Sequence, residues 1–313
     1  MSKKLFIIIF ILLFYTLTIQ AYDDGKAGFK VAYNNNIISQ EVASVFVLPE
    51  ETLKLNIYRP QKNNNYVIKS TESNIIKNND FEWEMRFPKE PGNYPVRVTN
   101  NISKESIRIN VFVLEPFSNL NGGYLNGFRI GNYPLSLISE NENYDLPKGF
   151  IKVTPENEDT YLSPHFQLKQ FICRQQGGYP KYVVIQELLL NKLEYLLYEI
   201  NQKGFNVDTF HMISGYRTPY YNKYLGNSDL SRHVFGDAAD IIIDVYPKDG
   251  YMDDLNSDGQ INYKDADILY DLVERSYKRS EYEEYVGGLG LYKRTSKHSP
   301  FIHIDTRGYK ARW

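Results

Sequence analysis

The sequence predicts an α+β protein in which an all-β sandwich precedes a domain of helices and mixed sheet. Apolar and polar side chains alternate over residues 27–115, and a period of two is typical of strands. Between Ile185 and Gly204, apolar residues recur with the spacing of a helix, and short apolar runs typical of core strands follow. A chain of 313 residues has room for two domains, each with its own core.

Residues 1–21 predict an export signal. Two lysines precede an unbroken apolar run from Leu5 to Tyr15, and a short polar stretch then leads to Ala21. The run is shorter than the roughly 20 residues that a membrane-spanning helix needs. We therefore expect a secreted or periplasmic protein with no stable membrane span once the signal peptide is removed. Because Ile19 is bulkier than a signal cleavage site prefers, an uncleaved N-terminal anchor is the alternative.

The composition argues against nucleic-acid binding and against disulfides. The chain has 36 Lys and Arg residues against 38 Asp and Glu residues, so no strong overall field attracts nucleic acid. Cys173 is the single cysteine, so no disulfide forms within the chain and the cores must hold the fold. Its apolar neighbours predict a small buried side chain rather than a nucleophile.

The first half of the chain is predicted to be an immunoglobulin-like sandwich. LKLNI, FEWEMRF and SIRINVFV each place their apolar residues on one face. Those faces consist of Leu53, Leu55 and Ile57; Phe81, Trp83, Met85 and Phe87; and Ile107, Ile109, Val111 and Val113. KEPGNYPVRVTN, a Pro-Gly turn leading into a strand, resembles the late strands of bacterial immunoglobulin-like domains. The resemblance implies a small antiparallel Ig-like sandwich over residues 27–115, which we interpret as a spacer or docking domain.

A connector and a second domain follow. Residues 116–149 are rich in Gly, Asn and Pro and predict an irregular connection packed on one or both domains. Residues 150–313 contain the predicted helix, a strand in FHMISGYRTP that runs into a turn at Gly215, and core strands in AADIIIDV and SPFIHIDTRG. A helix packed on a mixed sheet gives an α+β domain.

The histidines indicate where a metal site lies. All five follow residue 164: His165, His211, His233, His298 and His303. His233 and Asp240 are separated by small residues that let both side chains converge, and the HID segment supplies His303 from another strand. Two histidines and an aspartate with an open fourth position are typical of a catalytic zinc site. His165 and His211 are interpreted as structural, and Asp237 as an outer-layer or solvated residue.

Three motifs of the second domain resemble one family. SRHVFGDAAD fits the pattern S-x-H-x-x-G-x-A-x-D, and its residues are Ser231, His233, Gly236, Ala238 and Asp240. This pattern resembles the hallmark of the zinc D-alanyl-D-alanine carboxypeptidases, the vancomycin-resistance dipeptidases and the hedgehog fold. SGYRTPYYN resembles the Ser-Gly-Tyr-Arg segment of the same family, and GLGLY with FIHIDTRGYKARW resembles its branch ending in His-x-Asp and Arg-x-Trp. The resemblance covers residues 150–313 and implies that His233, Asp240 and His303 bind one zinc ion.

The resemblance also implies catalytic roles. Arg217, the arginine of the Ser-Gly-Tyr-Arg segment, would hold a substrate carboxylate or the charge that develops on the attacked carbonyl oxygen. The general base is where the sequence departs from the family, because Pro300 and Phe301 occupy the positions of its usual carboxylate or histidine. His298 and Asp305 are the remaining candidates. Asp305 has two alternatives, which are to orient a zinc ligand or to pair with Arg217.

An insertion at residues 250–275 has the spacing of a calcium-binding loop. Its predicted calcium ligands are Asp254, Asn256, Asp258, Gln260 (through its carbonyl) and Asp265. Gly259 supplies the sharp turn, and Ile261 is expected to point to the core. The loop resembles half of a dockerin motif, which implies a structural calcium ion; a charged solvated turn is the alternative.

Together these features predict an exported zinc metallopeptidase that hydrolyses peptidoglycan peptides as a D,D-carboxypeptidase or endopeptidase. The alternative is a non-catalytic zinc protein of the same fold that binds the cell wall or a protein partner. The missing carboxylate at Pro300 keeps that alternative open.

Overall fold

A computed structural model describes residues 22–34, 36–61, 63–139, 144–296 and 298–313. The predicted signal peptide lies outside the described residues. The chain is a mixed α+β protein in which β-sheets predominate over helices. No helix in the described part of the chain combines the length and apolarity that crossing a membrane requires.

The first half forms two facing sheets. Its strands are β1 Lys26–Tyr33, β2 Asn36–Gln40, β3 Val42–Val47, β4 Thr52–Ile57, β5 Tyr66–Ser70, β6 Asn74–Asn79, β7 Glu82–Arg86, β8 Gly92–Asn100 and β9 Ser106–Val113. One sheet has the order β2-β1-β4-β7-β6 and the other has the order β3-β9-β8-β5. The predicted apolar faces of β4, β7 and β9 are buried in one core, and Phe81 packs against it partly buried. The alternation therefore predicted these strands and their inward faces.

One feature of this sandwich differs from the prediction. Strands β3 and β9 pair in parallel, with Val42 opposite Arg108 and Val47 opposite Val113. The expectation of a purely antiparallel sandwich was therefore wrong. Alternation fixes which face of a strand is buried, whereas the direction of its partner depends on long connections that alternation does not encode.

The remaining chain contains short strands and all of the described α-helices. The strands are β10 Glu115–Pro116, β11 Tyr124–Leu125, β12 Phe128–Arg129, β13 Gly149–Val153, β14 Tyr161–Ser163, β15 Phe166–Gln167, β16 Lys181–Val183, β17 His211–Ser214, β18 Ala238–Ile242, β19 Gly288–Tyr292, β20 Phe301–Asp305 and β21 Ala311–Arg312. The helices are α1 Leu135–Ser139, α2 Glu187–Asn201, α3 Pro219–Tyr224 and α4 Tyr263–Ser276. Short 3₁₀ turns occupy Phe117–Asn119, Leu168–Phe171, Arg232–Phe235 and Ser280–Tyr285.

The sheet β17-β18-β20-β19-β21 positions the predicted site. Strands β17, β18, β20 and β19 are antiparallel neighbours, and their register places Ser214, Asp240, His303 and Gly290 in one row across the sheet. Helix α2 buries its predicted apolar face and ends before Gly204, which has a left-handed φ of 87°. This confirms the predicted helix and its glycine stop.

The connector packs into the core of the second half. Strands β11 and β12 form a small hairpin, and Leu125, Phe128, Ile130 and Tyr133 are buried in the same apolar cluster as α2 and β18. Residues with irregular backbone therefore contribute core side chains to the second domain.

Candidate metal centre

Three separate elements bring His233, Asp240 and His303 together. His233 lies in the 3₁₀ turn Arg232–Phe235, Asp240 in the middle of β18 and His303 in the middle of β20. The turn ends at Gly236 with φ 72° and ψ 20°, a left-handed conformation that favours glycine. A side chain at Gly236 would also collide with the backbone carbonyl of Val184. The glycine of the motif is therefore required where the chain passes from the His233 turn into β18.

The three side chains form a compact and buried donor set. His233 Nε2 lies 3.2 Å from Asp240 Oδ1 and 3.2 Å from His303 Nδ1, and His303 Nδ1 lies 2.9 Å from Asp240 Oδ1. Within the described residues, this is the one group of three or more His, Cys, Asp or Glu side chains whose ligand atoms all lie within 4.8 Å of one another. Two imidazole nitrogens and a carboxylate oxygen converging in this way could bind a metal ion.

The second nitrogen of each imidazole is held by the protein. His233 Nδ1 donates to the carbonyl of Gly215 at 2.7 Å, and His303 Nε2 lies 3.1 Å from Asp305 Oδ2. These bonds fix the ring orientations and leave His233 Nε2 and His303 Nδ1 facing Asp240. These two nitrogens are therefore preoriented on the side where a metal ion could bind.

Burial and neighbouring charges set the protonation of the three donor side chains. Burial lowers the pKa of His233, which favours the neutral imidazole that binds metals. Burial acts in the same direction on His303, but its bonds to Asp240 and Asp305 outweigh that effect and raise its pKa. Burial would raise the pKa of Asp240, yet the two histidines hold it well below its usual range. Asp240 is therefore a carboxylate.

Asp305 is a fully buried support of His303. Its Oδ1 accepts the backbone N–H of Gly288 at 2.7 Å, and its Oδ2 accepts Arg307 Nη2 at 2.5 Å. Burial opposes its charge, but the bonds to His303 and Arg307 lower its pKa. One predicted alternative, an ion pair between Asp305 and Arg217, is wrong because Asp305 pairs with Arg307. Asp305 lies opposite Ala238, two rows of the sheet away from the Asp240–His303 row that Arg217 approaches.

Arg217 instead contacts the carboxylate of the donor set. Its Nη2 pairs with Asp240 Oδ2, and its Nε donates to Ser214 Oγ at 2.8 Å. Ser214 lies opposite Asp240 in the register of β17 and β18, so the turn after β17 delivers Arg217 to that carboxylate. Asp240 therefore directs Oδ1 to the histidines and Oδ2 to Arg217.

His298, the other candidate base, lies on the loop before β20. It is partly buried, its Nδ1 donates to the carbonyl of Ser299 at 2.8 Å, and its ring packs edge-on against Phe301 with centroids 4.9 Å apart. Phe301 and His303 lie on the same face of β20 because side chains alternate along a strand. His298 thus packs against a residue on the face of β20 that carries His303.

An aromatic wall beside His303 was not predicted. The indole of Trp313 lies 5.2 Å from the His303 ring, is 47% exposed, and donates from Nε1 to the hydroxyl of Tyr292 at 2.7 Å. The indole occupies the space over Gly290, where any side chain would collide with it. A side chain at Gly288 would likewise collide with the Asp305 carboxylate. The sequence signal for these close contacts was the pair of glycines in GLGLY. Alternate glycines in a strand indicate that other groups pack closely against one face of that strand.

Other charged residues near the motif are buried and paired. Asp237 is fully buried against Arg232, and burial raises its pKa to about 6. This burial contradicts the solvated role among its two predicted roles, and the outer-layer role stays a prediction. Lys192 is also fully buried and donates from Nζ to the backbone carbonyl of Asp305 at 2.5 Å, and burial lowers its pKa to about 7. The two remaining histidines pair with carboxylates away from the donor set, His165 with Glu194 and His211 with Asp244.

The predicted calcium loop has the expected turn without converging carboxylates. Asp254 accepts the backbone N–H groups of Asp258 (3.2 Å) and Gly259 (2.7 Å), and Gly259 is left-handed with φ 80°. Asp258 accepts the N–H of Gln260 at 2.9 Å and Asn256 accepts that of Asp258 at 2.8 Å. Asp265 is buried in the first turn of α4, where its side chain accepts the N–H of the N-cap residue Asn262.

Two details of that loop differ from the calcium pattern. In the described part of the chain, the loop carboxylates do not approach one another as the ligands of the donor set do. Asp265 accepts the N–H groups of Leu255 (2.9 Å) and Asn262 (2.8 Å) instead. Ile261 is 37% exposed, so the expectation that it points to the core was wrong.

Comparison with known proteins identifies no family for this chain. No family model and no curated protein matches it. Domains 4 and 5 of the S-layer protein SbsC match with a TM-score of 0.18 and 12% identity, over 27% of this chain and 53% of that chain. A DUF4784 family protein from Bacteroides caccae matches with a TM-score of 0.16 and 10% identity, over 28% of this chain and 24% of that chain. The chain spans about half of the first structure and a quarter of the second.

Proposed function

We propose that this protein is an exported zinc metallopeptidase acting on peptidoglycan peptides, with a second domain of the hedgehog and D,D-peptidase type and an Ig-like first domain. The observation that carries the proposal is the convergence of His233, Asp240 and His303 from three separate elements. The resemblance of the surrounding motifs to the zinc D,D-carboxypeptidases supports the choice of reaction. Two imidazoles and one carboxylate are the donor set that a catalytic zinc ion prefers.

The residues around the donor set suit this chemistry. A zinc ion held here would act as a Lewis acid on a peptide carbonyl and lower the pKa of water in its open position. Asp305 holds His303 in the tautomer that presents Nδ1, and Gly215 does the same for Nε2 of His233. Arg217 pairs with Asp240 Oδ2, so Oδ1 would be the oxygen of Asp240 available to hold the ion.

The charge balance favours an anionic substrate group. Each buried carboxylate near the site has its own arginine, in the pairs Asp240–Arg217, Asp237–Arg232 and Asp305–Arg307. A divalent ion bound by neutral histidines therefore adds positive charge that the protein does not compensate. A substrate carboxylate, or the negative charge that develops on an attacked carbonyl oxygen, would neutralise this positive charge. Arg217 Nη1 makes no hydrogen bond within the described residues and is the donor that we assign to this task.

We assign the general base to His298 and the orienting role to Asp305. Both oxygens of Asp305 already accept hydrogen bonds from His303, Arg307 or Gly288, which suits a carboxylate that holds a ligand. His298 is partly exposed on a loop beside the strand face that carries His303. A side chain in that position can take a proton near the substrate.

The competing function is a zinc protein that binds the cell wall or a partner without cleaving it. One observation favours it: the carboxylates of Asp237, Asp240 and Asp305 are all paired with arginines. Incubation of the purified full chain with a defined muropeptide separates the two functions. We expect peptide products that disappear with a zinc chelator and return with added zinc. Binding of the muropeptide without any product would establish the competing function.

A structural calcium ion is proposed for the loop 250–275. The turn at Gly259 and the bonds that Asp254 accepts already give the loop the curvature of a calcium-binding loop. Binding would require Asp254, Asp258 and Asp265 to turn their oxygens from backbone N–H groups toward the ion.

A further inference from the structure

We propose that the connector is a working part of the metal centre and that Tyr133 is a positioning residue for His233. The inference rests on the proposed function only in taking His233 to be a metal ligand. It assigns a role to a segment that its composition marks as a linker.

The hydroxyl of Tyr133 joins the two loops that build the site. It donates to the backbone carbonyl of Val234 at 3.2 Å and lies 3.2 Å from the hydroxyl of Tyr216. Tyr133 and Tyr216 are both buried, with 6% and 2% of their surfaces exposed. Because Tyr133 donates its proton to Val234, Tyr216 is the donor between the two hydroxyls.

The bonded residues immediately flank the contacts of His233. Val234 follows His233 in the 3₁₀ turn. Tyr216 stands between Gly215, whose carbonyl accepts His233 Nδ1 at 2.7 Å, and Arg217, whose backbone N–H donates to the carbonyl of His233 at 3.1 Å. The Tyr133 hydroxyl therefore links the turn that carries His233 to the segment after β17 that holds the His233 ring. Loss of this hydroxyl removes the link between the two.

Other contacts keep the connector in place without that hydroxyl. The N–H of Tyr220 donates to the carbonyl of Ile130 at 2.9 Å, and Gln175 Nε2 donates to that of Arg129 at 2.8 Å. Gly131 is left-handed with φ 87°, and its Cα faces the backbone of Tyr220 so closely that any side chain would collide. The ring of Tyr133 also packs edge-on against Phe235 and Phe117. Removal of the hydroxyl should thus change the position of His233 more than the docking of the connector.

The chain offers a matched control in Tyr144. Its hydroxyl donates to the carbonyl of Leu230 at 3.1 Å, and its ring contacts Phe235, as the Tyr133 ring does. Both tyrosines therefore tie the connector region to the loop 228–236 with one hydroxyl-to-carbonyl bond. The Tyr133 bond alone joins the residue after His233.

The test compares Tyr133→Phe with Tyr144→Phe in the full chain, with Co²⁺ as the probe. We expect both variants to melt slightly below wild type, and Tyr133→Phe alone to bind Co²⁺ about tenfold more weakly, the lower end for residues that support metal ligands. The visible absorption of bound Co²⁺ should also change in Tyr133→Phe, because the geometry of its ligands changes, and stay as in wild type in Tyr144→Phe.

Equal Co²⁺ affinity and spectra in the two variants would overturn the assignment. If Tyr133→Phe does not fold, Tyr216→Phe replaces it, since it removes the other hydroxyl of the pair; wild-type Co²⁺ affinity and spectrum in that variant would equally refute the role. A wild-type protein that binds neither Co²⁺ nor zinc would contradict the proposed function itself, and with it this inference. Normal wild-type binding with no effect of Tyr133→Phe would contradict this inference alone.

Discussion

At the scale of single residues, the site depends on the hydrogen bonds that orient its two histidine rings. In each ring, the nitrogen that points away from the donor set is bonded to another protein group. A backbone carbonyl holds His233 and a carboxylate holds His303. Asp305 differs from Gly215 in carrying charge, and that charge is fixed by Arg307 and by the N–H of Gly288. Asp305 therefore orients His303 from the same strand, two residues further along the chain.

The roles of Asp305 and His298 are separable by two substitutions. Asp305→Asn should weaken zinc binding by about 10–100-fold, with excess zinc restoring turnover, because it removes the charge that orients a ligand. His298→Ala should lower turnover by about 10²–10⁴-fold while zinc stays bound, because it removes a base. Turnover and zinc content are measured together on each variant, with Asp271→Asn, an exposed helical aspartate, as the control. Full zinc and full activity in both variants would contradict the proposed chemistry at this site.

His165 is expected to stabilise the fold in a pH-dependent way. Burial lowers its pKa, but the hydrogen bond and charge of Glu194 outweigh burial, so its pKa lies above the ordinary 6.5. A raised pKa in the folded state contributes stability that is complete below the unfolded pKa and is lost as the pH rises through the folded value. The loss of unfolding free energy in His165→Gln should therefore be larger at about pH 6 than at about pH 9.

Urea unfolding of wild type and His165→Gln at both pH values measures this difference. Glu194→Gln serves as the control, because it removes the partner that raises the pKa and should abolish the pH dependence. A loss that grows toward high pH would show that His165 is not paired as a cation.

At the scale of elements, much of the sheet and part of the site could be predicted. Apolar alternation located β4, β7 and β9, and the S-x-H-x-x-G-x-A-x-D motif identified His233 and Asp240, which β18 and the preceding turn bring together in the donor set. The arginine partners could not be predicted in the same way. Arg307 follows Asp305 by two residues, whereas Arg217 is far from it in sequence. The register of β17, β18 and β20 is needed to tell which carboxylate Arg217 contacts and which carboxylate Arg307 contacts.

The loop 250–275 gives a prediction at the same scale. If it binds calcium, Asp254→Ala combined with Asp258→Ala should lower the melting temperature in the presence of calcium and have a smaller effect in a calcium chelator, because a ligand that binds the folded state stabilises it by mass action. Thermal melting of both proteins under both conditions measures this. Identical melting of the wild-type protein with calcium and with chelator would show that the loop is a charged turn.

At the scale of the whole molecule, the described residues form two apolar clusters and one compact donor set. The first cluster lies between the sandwich sheets, and the second includes the connector together with α2, α4 and the sheet that carries Asp240 and His303. The donor set lies in the second body, where the carboxylates of Asp237, Asp240 and Asp305 each pair with an arginine. The composition of residues 116–149 predicted that the connector packs on one or both domains, but not which of its side chains enter the second cluster, because a buried tyrosine in an irregular segment has no periodicity to reveal it.

Zinc content of the purified full chain and its ligand variants tests the central claim most directly. We predict about one zinc per wild-type chain and none retained in His233→Ala, Asp240→Ala or His303→Ala. A three-ligand site loses most of its affinity for zinc when one of its ligands is removed. His211→Ala, which changes a histidine outside the donor set, should keep its zinc. One zinc per chain in all three ligand variants, or none in the wild-type protein, would contradict the assignment of this site.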